Sequence, residues 1–236
     1  MALFQASLQF YAQNIRQLLL LSVLAVFPPL LLYNIIMNYL NLLTTITGVK
    51  LVSGFVNMFL LLLIFTVIQL PFAQFVQNRL DGEERPLGKA LYAFAEHGFT
   101  IFLFGIAYAL AVTTGMLLLV IPGLILFILF YVTPYLMVIK QQSAWKCWRA
   151  VVEMGKTHFF KILGLILAVS ISQFGVSMLG IWLLTLVTTS YGVGFFTQLL
   201  LNVVLFPFIA VLFSMYTREH APRKDLNRMG IPGDIF

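Results

Sequence analysis

From His97 to Ile139 the chain runs 43 residues without an Asp, Glu, Lys or Arg. As a single helix this stretch would be about 64 Å long at 1.5 Å per residue. That is roughly twice the 30 Å hydrocarbon core of a bilayer, so the run has to fold back on itself. Pro122 and Gly123, in Val120-Ile121-Pro122-Gly123, carry the chemistry for a reversal. Proline removes a backbone donor and disturbs the preceding turn, and glycine accepts a positive φ. Five cations then follow within 22 residues: Lys140, Lys146, Arg149, Lys156 and Lys161.

A second uncharged run, Ile162 to Thr217, is 56 residues long and demands another reversal, for which Ser190-Tyr191-Gly192-Val193-Gly194 is the candidate. Only 9% of the chain is charged, against about 25% in a soluble domain. The composition therefore predicts an all-α membrane protein with six transmembrane helices. The spans fall at about 17–38, 51–75, 98–120, 123–139, 162–188 and 195–216, within a single domain over 1–217. A basic tail, 218–236, follows. The first span is read as retained, since Pro28-Pro29 stands where a cleavable leader would carry small residues.

Three segments have the spacing of surface-lying amphipathic helices. The first is 1–16, with Phe4, Leu8, Tyr11 and Ile15 in register. The second is 87–96, with Leu87, Leu91 and Phe94. The third is 141–157, where Trp145, Trp148 and Val152 form one face and Lys146, Arg149, Glu153 and Lys156 another. Each precedes a pair of spans, which suggests three copies of surface helix plus hairpin. Setting Asn14, His97 and His158 level aligns Leu18 with Ile101 and Ile162. With six spans, every one of the 14 Lys and Arg except Lys50 falls on one side. The positive-inside rule then places both termini in the cytoplasm, in a bacterial-type cytoplasmic membrane.

The segments Val120-Ile121-Pro122-Gly123-Leu124-Ile125, Thr133-Pro134-Tyr135-Leu136-Met137-Val138-Ile139 and Ala150 through His158-Phe159 resemble the YciC-like group of six-helix bacterial membrane proteins. The glycerophosphodiester phosphodiesterase membrane domain is similar. The resemblance implies a V-P-G or I-P-G turn before an apolar helix with an internal proline, then a cytoplasmic helix leading into the next span. It implies no catalytic residue, and this chain departs from the phosphodiesterase type in having no soluble catalytic domain. Members of the group are largely uncharacterised.

The predicted spans hold no ionisable Asp, Glu, Lys or Arg, which argues against ion-coupled transport and against an enzyme. HExxH and G-x-S-x-G motifs are absent, and no cofactor or metal is expected. His97 and His158, at matching repeat positions, read as interfacial residues, with a metal or phosphate-headgroup site as the sharper alternative. Trp145, Lys146, Trp148, Arg149 and Lys156 read as an interfacial anchor on anionic lipid headgroups, or as a surface for a membrane protein partner. The cations flank apolar spans, so nucleic acid is not implied. Asn57, Gln69, Gln173, Gln198 and Asn202 lie inside spans and need hydrogen-bond partners. They serve either as interhelical contacts or as the polar lining of a solute path. Ala168, Ser172 and Gly175 form a small-residue stripe suited to close helix packing. Two functions follow: a non-enzymatic membrane-organising or accessory component, or a carrier or channel component for a neutral or lipid-like solute.

Overall fold

The computed structural model describes residues 2–186, 188 and 190–221; the tail beyond Ala221 lies outside the described residues. The described residues are helical throughout: α1 (Ala2–Gln13), α2 (Ile15–Ala25), α3 (Phe27–Thr47), α4 (Lys50–Leu80), α5 (Pro86–Leu118), α6 (Val120–Phe130), α7 (Thr133–Lys140), α8 (Ala144–Thr157), α9 (Phe159–Thr185) and α10 (Tyr191–His220). Six units are long and apolar enough to cross a membrane: Ile15–Thr47, Lys50–Leu80, Pro86–Leu118, Val120–Lys140, Phe159–Thr185 and Gly192–His220. Their outward faces carry large apolar side chains such as Leu32, Ile35, Phe174 and Trp182. The chain is a multi-pass membrane protein.

Prolines mark the start of several helices. Pro28 and Pro29 stand in the first turn of α3, Pro86 at the start of α5 and Pro134 at the start of α7. There the missing donor has no intrahelical acceptor to lose. The first span is thus broken at Val26 and the fourth at Tyr131–Val132. Pro122 follows the same logic and corrects the expected turn. The reversal is made at Leu119, which is extended at φ −150° and ψ 114°, and Pro122-Gly123 belongs to the opening of α6. Gly123 needs no positive φ; its function is steric. A Cβ there would sit 2.4 Å from the Met116 backbone nitrogen, and one on Gly115 would sit 3.0 Å from the Gly123 Cα. The two glycines let α5 and α6 meet backbone to backbone directly after the turn. The second reversal is displaced likewise: it falls between Thr185 and Tyr191, and Gly192 and Gly194 lie in the first turn of α10.

The expected surface helices differ in kind. α1 and α8 are separate helices, whereas 87–96 is the opening of the continuous α5. The junctions after α1 and α8 are equivalent: Asn14 has φ −114°, ψ 15° and His158 has φ −114°, ψ 19°. Leu18, Ile101 and Ile162, aligned by the repeat register, are all fully buried. α10 continues through Arg218 to His220, past the expected end of its span, and Arg218 pairs with Asp81 after α4 at 3.2 Å.

Packing centres on α4, α7 and α10. α4 packs most extensively on α5, and every residue of α7 is buried against α4, α8 and α10. α9 is the exception. It touches α10 and, more lightly, α6 and α8, and buries only Ile162. The small-residue stripe does not pack closely: Ala168 and Ser172 line a groove beside α10, and a Cβ on Gly175 would meet nothing within 4 Å.

Pro207, inside α10, removes the amide that would bond the Val203 carbonyl. Ser22 of α2, fully buried, donates its hydroxyl to that carbonyl at 2.6 Å. Ser22→Ala leaves it without a partner in an apolar surround and is expected to cost about 1–3 kcal/mol. In a Pro207→Ala background the helix can supply its own amide, so the same substitution should cost clearly less. Unfolding midpoints of the four proteins in detergent check this; equal losses in both backgrounds would refute it.

Candidate functional site

A cavity of about 430 Å³ lies between α4 and α9, walled by α5, α6 and α10. Along α4 it reaches from Gly54 to Gln69, about 22 Å of helix. On α9 it spans Ile166 to Gln173, so it sits inside the apolar belt. Phe65, Phe127, Phe206 and Phe213 supply aromatic walls, and Asn57, Thr66, Gln69, Tyr131, Ser170 and Gln173 supply polar groups. Three of the five span amides singled out from sequence therefore meet at one site. Asn202 stands behind them, accepting from the Gln173 amide at 3.1 Å. Gln198 is apart: it donates to the Ser177 hydroxyl at 3.3 Å and acts as interhelical glue.

Hydrogen-bond accounting separates the spent groups from the available ones. Thr66 donates to the Leu62 carbonyl at 2.7 Å and Tyr108 to the Phe127 carbonyl at 3.0 Å, so both are satisfied. The Asn57 oxygen accepts from the Tyr33 hydroxyl at 2.5 Å, which aims its NH₂ elsewhere. Gln69 is only 3% exposed, and its side-chain amide makes no hydrogen bond among the described residues. Leaving such a group bare in an apolar medium costs about 1–3 kcal/mol. A bound hydrogen-bonding molecule would remove that cost. No Asp, Glu, Lys, Arg or His lines the cavity. The site offers neutral donors and acceptors on an apolar floor, which suits an uncharged amphiphile and gives nothing to hold an ion.

α8 packs through a face that the sequence pattern did not single out. Its buried face is Ala144, Cys147, Val151 and Met154, with Gly155 so close that a Cβ would lie 2.9 Å from the Leu129 carbonyl oxygen. Trp145 and Trp148 occupy a flank, each about half exposed at 53% and 51%. Lys146, Arg149 and Lys156 are exposed, and Arg149 forms no ion pair with Glu153, four residues on, among the described residues.

The histidines divide. His97 is exposed on α5. His158 joins His220 and Tyr216: the two imidazoles are 4.9 Å apart edge to face, and Tyr216 stacks on His220 at 4.4 Å. Sequence reasoning missed His220 because it was assigned to the tail. Among the described residues no three His, Cys, Asp or Glu gather as a metal site. Comparison with family models, curated proteins and solved structures finds no match to this chain.

Burial holds the His158 pKa below the ordinary imidazole value, and His220 and Lys161 push it the same way. The unfolded chain then takes up a proton at this site at a higher pH than the folded one. Stability is full above about pH 6.5 and falls as pH drops below it toward the lowered folded value. His158→Gln should flatten that loss, read as the unfolding midpoint between pH 8 and pH 5. An unchanged slope would show that the cluster does not titrate as described.

Proposed function

We propose that this protein binds a neutral, membrane-borne amphiphile in the α4–α9 cavity and acts as a carrier or carrier component for it. The observation that carries this reading is Gln69, an amide buried in the bundle without a protein partner, which lines the same cavity as Asn57 farther along α4 and Gln173 on α9 opposite. Uncharged hydroxyl, ester or amide groups on the ligand would take the free amide donors and acceptors. Its apolar part would lie on the phenylalanines. The weak packing of α9 supports access from the lipid phase, since α9 can move without unpacking the α4–α7–α10 centre. An accessory, membrane-organising role, the other expectation from sequence, rests on the surface helices and draws nothing from this cavity. The protein catalyses no reaction on this reading.

In this proposal the membrane is a bacterial-type cytoplasmic membrane with both termini inside, supported by the six-span count, which leaves Lys50 as the one described Lys or Arg on the opposite side. A reporter fused after Phe236 should be active only in a cytoplasmic-side assay, and activity on the opposite side would invert the topology. Kinship with the YciC-like group is proposed on the Val120–Ile125 and Thr133–Ile139 segments.

Extraction into native-lipid discs, followed by mass spectrometry of the bound small molecules, tests the function. One neutral amphiphile should be enriched over bulk lipid. Its retention should fall about five-fold or more in Gln69→Leu with Asn57→Leu, at roughly 0.5–1.5 kcal/mol per lost hydrogen bond. Gln198→Leu, away from the cavity, should retain it. A lipid profile equal to bulk, or one that the double variant leaves unchanged, would overturn the proposal.

A further inference from the structure

A second site is written on α8, independent of the cavity. With 100° per residue, the buried face of Ala144, Cys147, Val151 and Met154 fixes the roll of the helix. Moving round from that face, Trp148, Val152 and Trp145 come next, and Lys156 and Arg149 follow immediately beyond them. Core, aromatic flank and cationic edge thus succeed one another across the surface of one helix. Lys146 and Glu153 lie farther round, away from the aromatic flank.

Beneath the two indoles is a groove of about 410 Å³ between α5, α6 and α8. Its floor is apolar, with the short side chains of Ala107 and Ala111, one turn apart on α5, leaving a slot beside the touching rings of Phe104 and Phe130. Trp145 meets Phe104 edge to face at 5.6 Å, which holds the groove's rim in place. α5 and α6 belong to membrane-crossing units, so the groove faces acyl chains. Arg149 and Lys156 make no ion pair among the described residues and are exposed at that edge.

We infer that this is a binding site for one anionic phospholipid. Its acyl chain fills the Ala107–Ala111 slot under Trp145 and Trp148, and its phosphate is held by Arg149 and Lys156. An apolar groove rimmed by Trp148, with Arg149 next to it and Lys156 about 10 Å farther along the same edge of α8, matches a chain joined to a phosphate. A soluble acidic peptide would satisfy the cations and leave the groove empty. Indoles at the boundary suit the headgroup level, and cations beyond them suit negative lipid. The site gives α8 a lipid preference opposite to that of the neutral cavity.

The test uses the full chain in detergent, offered mixed micelles containing phosphatidylglycerol or phosphatidylcholine, with native mass spectrometry as readout. One phosphatidylglycerol per chain should be retained, preferred about ten-fold or more over phosphatidylcholine. Arg149→Gln with Lys156→Gln should abolish the preference, and Ala111→Phe should cut retention by filling the slot without touching a charge. Quenching by bromine-labelled phosphatidylglycerol gives a second measurement. In Trp182→Phe, which leaves Trp145 and Trp148 as the remaining two of three indoles, quenching should be strong and should weaken in the charge variant. Equal retention of both lipids, or quenching unaffected by the charge variant, would refute the inference. So would a stoichiometric co-purifying protein lost on Arg149→Gln, which would assign the face to protein docking. Loss of the neutral amphiphile in Gln69→Leu has no bearing on these outcomes, so the two proposals fail separately.

Discussion

Lipid offers the backbone no hydrogen bonds, and every unusual feature of this fold is an answer to that constraint. Reversals are confined to a few residues, and the breaker residues sit just after them, in first turns whose donors are unsatisfied within the helix. The one helix-interior proline whose consequence is visible, Pro207, has its freed carbonyl taken up by a serine from another helix. Unlike the Thr113 hydroxyl and the Gln198 oxygen, which are sealed in the packing without a partner, the unbonded Gln69 amide opens onto a cavity. Gln69 sits in the buried second half of α4, where a leucine would have been the inexpensive choice, and it faces a cavity instead of a partner.

Two kinds of polar chemistry are kept apart in this bundle. Inside the apolar belt the polar groups of the described residues are neutral amides and hydroxyls, and Asn57, Gln69 and Gln173 line the cavity where α9 stands away from the rest. At the cation-rich end the groups are charged or titratable: the α8 edge, the Arg218–Asp81 pair and the His158–Tyr216–His220 stack. The first arrangement selects uncharged ligands by having nothing to neutralise a charge with. On the proposed lipid site, the second would tie the bundle to an anionic surface. A firmly packed α4–α7–α10 centre with a loosely packed α9 gives the protein a fixed wall and a movable one around its cavity.

The six spans were legible because run length against bilayer thickness is a strong physical constraint. The turn positions were not. Leu119 has no distinguishing chemistry, and the proline and glycine that drew attention act one turn later, through a close approach to Met116 that only the folded chain reveals. The register that sets Leu18, Ile101 and Ile162 level falls on three buried residues, yet the same pattern hid the continuity of α5. Asn57, Gln69 and Gln173 were visible as expensive residues, but their convergence depends on helix rotation. On α8 the packed face of Ala144, Cys147 and Gly155 was not singled out, because small residues leave no amphipathic signal until the helix is docked.

The most direct test of the central claim is an electron cryomicroscopy map of the protein in native-lipid discs. The account predicts elongated non-protein density between α4 and α9, with its polar end within hydrogen-bonding distance of the Gln69 amide. A map in which α9 closes onto α4, with Gln69 bonded to protein and no density between the helices, would contradict it.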